Sequence, residues 1–245
     1  MVNKWLERMH YRLLPAACVL CGSNAEPGAQ LCFACLTDLP FFSTAACTIC
    51  AMPLAHQESL CGNCLKQRPF YTKCRATFHY SEPVAHLIQA LKFHHKLAYA
   101  ALLGGVMADA LVDQLEERPQ LIVPVPLNRM RLRERGFNQA LELARPIARK
   151  LAIPLDFKHS HRKRRTSVQS LLPADERRHN VRGAFEFNHP GRIKSVAIVD
   201  DVMTTTHTVN EFARTLVAAG VDDVQVWVCA RAAPAPVMPL NQAGS

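Results

Sequence analysis

Long apolar runs are missing from this 245-residue chain. A membrane-spanning helix needs about 18–20 consecutive apolar residues, and no stretch reaches that length, so no transmembrane segment is expected. A secretion signal is not expected either, because Lys4, Glu7 and Arg8 break up Trp5, Leu6 and Met9 and leave no continuous apolar h-region. Met1 to Leu14 has the texture of a short amphipathic helix. Its expected role is to pack against its own protein, with a membrane-surface role as the alternative. These absences predict a cytoplasmic protein, at most peripheral at the inner face of the membrane. Aromatic residues are scarce, at 7%, and few interleave the basic stretches where base stacking would need them. Extended disorder is excluded by 49% hydrophobic and 20% charged residues. The length accommodates one full α/β domain plus a small module.

Acidic residues are in deficit. There are 29 Lys and Arg against 20 Asp and Glu, a net charge of +9. The excess is local: Lys158, Arg162, Lys163, Arg164, Arg165, Arg177, Arg178 and Arg182 face only Asp175 and Glu176 within one stretch. Such density implies an anionic partner, either ligand phosphate or nucleic acid. The plainer reading is a solvated charged loop.

Cysteine is abundant, and its spacing is informative. Eight of the ten cysteines form four C-x-x-C pairs, Cys18/Cys21, Cys32/Cys35, Cys47/Cys50 and Cys61/Cys64. A shift of 29 residues lays the first two pairs on the last two, Leu36 on Leu65, and Pro40-Phe41-Phe42 on Pro69-Phe70-Tyr71. This internal repeat supplies four thiolates per copy, the donor set of tetrahedral zinc. Without a secretion signal disulfides are disfavoured, and no thioredoxin-like pattern supports a redox pair. Two structural Zn²⁺ sites are therefore expected. The repeat favours pairing within each copy, and a cross-braced arrangement of alternate doublets is the alternative. So short and polar a segment would hardly fold without metal. Cys74 and Cys229 read as buried small hydrophobes.

The chemistry concentrates in Val196 to Thr208. Val196-Ala-Ile-Val199 reads as a strand buried on both faces. Asp200 and Asp201 follow, then the hydroxyl-rich Thr204, Thr205, Thr206 and Thr208. Val209, Phe212, Ala213, Leu216 and Val217 then recur with helical period. A helix N-terminus after a buried strand offers unpaired N–H groups to phosphate. The carboxylates need a different partner, sugar hydroxyls or a hydrated cation. A phosphorylated sugar satisfies both, whereas the plainer reading is an ordinary strand-turn-helix with a threonine N-cap.

Elsewhere, Cys74 to Tyr80 alternates like a strand, and a helical pattern runs from Pro83 through Leu91 and on to about Leu103, with a further helix over about 102–115. Leu121-Ile-Val-Pro-Val-Pro-Leu127 reads as a second buried strand closed by prolines. An arginine-rich turn, Arg129, Arg131, Arg133 and Arg135, leads into a helix ending near Leu151. Such a turn at a strand's carboxyl end suits a polyanion, and a surface basic cluster is the alternative. The basic stretch reads as a lid or binding loop. Phe185-Glu186-Phe187 and Val224 to Ala230 read as strands, and residues 238–245 as a disordered tail.

In combination these stretches resemble a known family. The strand, the acidic pair and the threonine turn look like the phosphoribosyl-pyrophosphate (PRPP) signature of type I phosphoribosyltransferases, with Thr206 standing where that signature carries Gly. The cysteine repeat, Ile122 to Leu127, Arg133-Glu-Arg-Gly-Phe-Asn-Gln139, the Arg165-Thr166…Gln169 and Asn180 to Phe185 segments and the acidic turn together resemble the ComF, or GntX-like, family. The resemblance implies a Rossmann-like α/β phosphoribosyltransferase domain with a parallel sheet, over 73–237. It implies an N-terminal helix and double zinc ribbon over 1–72. Asp200 and Asp201 would then meet the PRPP ribose and, through water, Mg²⁺. Met203, Thr204, Thr205, Thr206, His207 and Thr208 would cradle the 5′-phosphate. Val123, Pro124, Val125 and Pro126, with Arg129 and Arg131, would form the pyrophosphate loop, and the segment around Arg165 and Gln169 would close over it. The implied activity is a Mg²⁺-dependent phosphoribosyltransferase linked to competence and DNA uptake. The alternative is a non-enzymatic single-stranded-DNA-binding protein of the uptake machinery, and a third reading makes the ribbons a docking module for that machinery.

Overall fold

The computed structural model describes residues 17–42, 45–54, 59–163 and 182–232. The first fourteen residues, the tail, and Arg165 and Gln169 lie outside them.

Four strands make an all-parallel sheet in the order β1 (Lys73–His79), β6 (Asp223–Arg231), β5 (Ser195–Met203), β2 (Leu121–Pro124). The central strands carry β-branched residues on both faces, as a sheet covered on both sides requires. Val196, Ala197, Ile198 and Val199 are all 0% exposed. Alternation then sorts side chains between two cores. Val196, Ile198, Val224, Val226 and Val228 meet α7 (His207–Ala218) through Phe212, Ala213 and Leu216. Ala197, Val199, Trp227 and Cys229 meet the opposite layer of α3 (Val84–His94), α4 (Leu97–Val112) and α6 (Gln139–Leu151). Each fully buried large side chain contributes about 1.5–3 kcal/mol.

The crossovers fix where a ligand can sit. The chain leaving β2 passes through α5 (Arg129–Arg135) to α6 on one face, whereas the chain leaving the neighbouring β5 goes to α7 on the other. Between two adjacent parallel strands whose helices diverge, a crevice opens at the carboxyl ends. Two asparagines shape its rim. Asn128 Oδ1 caps α5 by accepting from Arg131 N (2.8 Å). Asn138 caps α6 through Ala140 N (3.0 Å) while its Nδ2 donates to Val125 O (3.0 Å).

The cysteine modules pack on this sheet from both sides. The second, with helix α2 (Gly62–Lys66), joins the α7-side core through Cys47, Ile49, Cys50, Cys61 and Cys64. The first, with α1 (Phe33–Thr37), joins the other core through Cys18, Leu31 and Leu39. Between them Pro40 to Phe42 runs antiparallel along β1, with Phe42 N donating to Thr77 O (2.9 Å) and His79 N to Pro40 O (2.8 Å). The edge strand is therefore covered rather than open to pairing with another chain.

Three elements differ from the sequence reading. The helical pattern from Pro83 is two helices, split where His95 takes a left-handed φ of 54° and ends α3. The strand before the acidic pair does not stop at Val199 but continues through Asp200 and Asp201 to Met203, because the pairing with β6 persists to Arg231. The basic stretch contains a short strand, β3 (Ser160–Arg162), antiparallel to β4 (Phe185–Phe187), invisible to period analysis at three residues. Among the described residues no helix is long and apolar enough to cross a membrane.

Candidate functional site

Each cysteine cluster is built by a tight knuckle and a short helix. Cys32 caps α1, its Sγ accepting from Cys35 N (3.5 Å), and Cys61 is the N-cap of α2. Cys18, Cys21, Cys32 and Cys35 offer sulfurs within 4.8 Å of one another, and so do Cys47, Cys50, Cys61 and Cys64. Grouping therefore follows the repeat and is not cross-braced. Neighbouring sulfurs stand 3.7 Å apart in the first cluster (Cys21–Cys32) and 3.6 Å in the second (Cys50–Cys61). A tetrahedron of zinc–sulfur bonds of about 2.3 Å has an edge of about 3.8 Å, so both clusters fit zinc. Burial pushes the Cys18 thiol up, but N–H groups of Cys32, Cys21 and Leu20 outweigh it and hold it at about 6. The same opposition, with Cys61, Cys50 and Ile49 donating, holds Cys47 at about 7. Burial drives Cys50 up to about 12 and, with the thiols of Cys50 and Cys61, raises Cys64 further. Four crowded sulfurs shed their protons together only around a cation.

The crevice at the sheet's carboxyl end is a cavity of about 330 Å³ lined by Asp200, Asp201, Lys92, Arg131, Arg135, Arg162, Tyr80, Asn138, Gln139, Thr204 and Thr208, with Val125, Leu127, Ala140 and Val202. Asp201 is only 8% exposed, and its Oδ2 lies 2.8 Å from Lys92 Nζ. Burial, then the neighbouring Asp201 charge, push Asp200 up to about 7, against the Asp201 N–H, Lys92 and Arg162. Burial, reinforced by Arg131, lowers both Arg135 and Arg162, though arginine stays charged. The cavity thus gathers a carboxylate pair and four cations from three separate places in the chain: Lys92, the Arg131–Arg135 pair and Arg162.

The geometry refines the arginine-rich turn. Arg129 to Arg135 forms the helix α5, not a turn. On a helix, residues four apart share a face. Arg131 and Arg135 line the cavity, while Arg129 and Arg133 line a second cleft with Pro126. Of the other candidate residues, Val123 and Pro124 are buried within β2, and Val125, Thr204 and Thr208 reach the cavity. Met203 is 1% exposed in the core, Thr205 and Thr206 belong to the turn entering α7 and His207 is that helix's first residue, none of the last three lining the cavity. Thr206 has φ −79° and ψ −5°, a conformation any residue adopts, so this turn does not require the glycine of the related signature.

Comparison with known proteins now adds to this geometry. The profile of the double zinc ribbon domain matches residues 10–65. The chain is 38% identical over 161 residues, 63% of its length, to "Competence protein F" of Haemophilus influenzae, covering 70% of that protein. The chain belongs to the ComF family. It is also 36% identical over 159 residues to "DNA utilization protein YhgH" of Escherichia coli, covering 69% of it. The two cysteine clusters of this ComF-family chain are structural zinc sites.

Several cavity residues escaped sequence reasoning. Arg135 carried a signal, its i, i+4 spacing from Arg131, which a turn assignment conceals. Arg162 carried one only as a member of the basic stretch, and Lys92 and Tyr80 carried none, because all three reach the cavity only once β1, α3 and β3 have packed. A further residue ties the second zinc knuckle to the acidic turn. Arg231, 1% exposed, donates through Nε to Cys50 O (3.2 Å) and through Nη1 to Met203 O (2.7 Å), Thr204 O (2.9 Å) and Ala232 O (2.7 Å).

Proposed function

We propose that this ComF-family protein binds PRPP with Mg²⁺ in the carboxyl-end cavity and acts as a phosphoribosyltransferase in the use of DNA taken up by the cell. One observation carries the reading. Two adjacent carboxylates, Asp200 and Asp201, share a cavity with Arg131, Arg135, Arg162 and the hydroxyl turn of Thr204 and Thr208. Carboxylates suit vicinal sugar hydroxyls, arginines suit a diphosphate, and a helix N-terminus flanked by hydroxyls suits a monophosphate. PRPP presents all three groups. The names of the relatives, competence and DNA utilization, support the cellular setting and a place beside the uptake machinery.

The acidic pair is an all-oxygen donor set of the kind Mg²⁺ prefers, and Asp200 and Asp201 would hold the ion through water. When bound, Mg²⁺ would neutralise charge on the diphosphate. The chain's own groups then have defined tasks. Arg131, Arg135 and Arg162 stabilise the departing diphosphate as the anomeric C–O bond breaks, and the carboxylate field offsets positive charge developing on the ring. No protein base is required for bond cleavage itself.

A thermal-shift series tests the reading. PRPP with Mg²⁺ should raise the melting temperature, ribose 5-phosphate and pyrophosphate less so. The paired substitution Asp200→Asn, Asp201→Asn should abolish the PRPP shift. Ligand at about a hundredfold its Kd stabilises by about 2.7 kcal/mol, so the absence of any shift at saturating PRPP would overturn the proposal.

A second reading, binding of single-stranded DNA without catalysis, is favoured by the neighbouring cleft. It has a volume of about 1060 Å³ and brings Arg129, Arg133, Arg145 and Lys163 beside Phe137 and Phe157. Arg145 lies over the Phe157 ring at 5.7 Å. Cations beside aromatic faces suit a single strand. The expected signature is oligonucleotide affinity that falls steeply with salt.

A further inference from the structure

Outside the cavity and the zinc ribbons, one cluster of ligand-type side chains has no role in the proposed function. Asp156 follows Leu155, which extends the sheet beyond β2: Ile122 N donates to Pro154 O (2.8 Å) and Asp156 N to Ile122 O (2.9 Å). His159 immediately precedes β3, and His189 lies just beyond the end of β4. Asn188 N donates to His159 O (2.9 Å), which brings the two legs of the β3–β4 pair together at this point.

We propose that Asp156, His159 and His189 form a third metal site, for a divalent transition ion of the zinc type, which staples the base of the β3–β4 pair. One ligand atom from each residue falls within 4.8 Å of the others. The two rings stand 5.1 Å apart between centroids, at 72°. Each ring is already oriented. His159 Nδ1 lies 3.0 Å from Asp156 Oδ1, and His189 Nδ1 lies between the carbonyl (3.1 Å) and N–H (3.0 Å) of Gly191. A metal-binding histidine characteristically has one nitrogen held in this way by carboxylate or backbone. Phe187 stacks on the His189 ring at 6.0 Å and 15°, which restricts it further.

The carboxylate points to the same conclusion independently. Asp156 is 8% exposed. Its Oδ1 accepts from Lys158 N (2.9 Å), His159 N (3.3 Å) and the His159 ring. Its Oδ2 is buried and has no hydrogen-bond partner. A buried carboxylate oxygen left so is costly, and a cation between the two imidazoles would satisfy it. Two nitrogens and one oxygen suit zinc and its neighbours better than Mg²⁺ or Ca²⁺, and leave a position for water. None of the three residues lines the cavity, but Arg162, on the same strand as His159's neighbour Ser160, does. A staple here would hold that arginine's strand in register.

The test is metal stoichiometry of the full chain. Protein carrying zinc in its two ribbons, with metal held outside them first removed by dialysis, is titrated with Co²⁺, and total bound metal is counted after gel filtration. The expected result is three equivalents per chain, the third with ligand-field bands but no thiolate charge-transfer absorption. His159→Ala and His189→Gln should each return the count to two, with the ribbon zinc retained. Imidazole NMR of the wild-type chain gives a second readout that needs no variant: the His159 and His189 signals should shift with the third equivalent. A wild-type count of two, a third equivalent that survives both substitutions, or unmoved His159 and His189 signals would each overturn the site.

Discussion

Lys92 Nζ sits 2.8 Å from Asp201 Oδ2, and both side chains are mostly shielded, at 20% and 12% exposure. The pair joins α3 to the carboxyl end of β5, so one of the two adjacent acids is neutralised by a residue more than a hundred positions earlier. The other, Asp200, carries the remaining repulsion.

Removing the cation should therefore do two things. Lys92→Met leaves Asp201 shielded from water without its counter-charge and should cost about 1–3 kcal/mol, less than a fully buried pair. It should also raise the titration midpoint of Asp200 further, since Lys92 acts to lower it. Chemical denaturation and carboxyl NMR titration check the two effects separately.

The pH dependence of stability follows from Asp200. Its folded value of about 7 lies above the ordinary 3.8, so the native state holds this proton more tightly than the unfolded chain. The contribution is full below about 4 and is lost as pH rises through about 7. Asp200→Asn should then melt several degrees above wild type at pH 8 and level with it at pH 3.5. Binding of a polyol–Mg²⁺ ligand, which needs the ionised carboxylate, should run the opposite way and tighten as pH rises through about 7.

Zinc in the second ribbon should influence the acidic turn through Arg231. The guanidinium holds carbonyls of Cys50, Met203 and Thr204 at once. Arg231→Met would take this donor from the Cys50 and Thr204 carbonyls, at about 1–3 kcal/mol in total, while Met203 O keeps its bond from Ala232 N (3.1 Å). Stripping zinc with a chelator should raise amide exchange across 203–208. In Arg231→Met that exchange should already be fast and respond little to chelation. Unchanged exchange on zinc removal would contradict the coupling.

Helix α4 crosses α6 at close range through Gly104. A Cβ there would lie 2.5 Å from both Leu143 O and Pro146 Cγ. Gly104→Ala forces the helices apart and should destabilise by about 1–3 kcal/mol, while Gly105→Ala, where a Cβ meets nothing within 4 Å, should be neutral or mildly stabilising. Paired urea melts distinguish them.

Much of the architecture was legible in local pattern. The 29-residue repeat favoured the grouping of the cysteines that the structure shows, and the apolar runs at Leu121 and Val196 gave two buried strands. The acidic pair and threonine turn pointed to the end of the second, where a cavity is lined by Asp200, Asp201, Thr204 and Thr208. Short elements escaped. Three residues of β3 carry no readable period, and four arginines at alternate positions look like a turn until their helix shows that only Arg131 and Arg135 share the cavity.

Sequence alone determined what depends on neighbours along the chain: which segments are buried, which thiols come in tight C-x-x-C knuckles, and where unpaired N–H groups follow a strand. Tertiary structure decided what depends on chain crossings. The ribbons straddle the β1 edge because Pro40 to Phe42 pairs with that strand, a long-range contact no local pattern encodes. Lys92, Arg162 and Arg231 acquire their partners the same way. Charge and hydrogen-bond donors are written in the sequence, but their partners are set by the packing of the sheet that brings distant carbonyls and carboxylates within bonding distance.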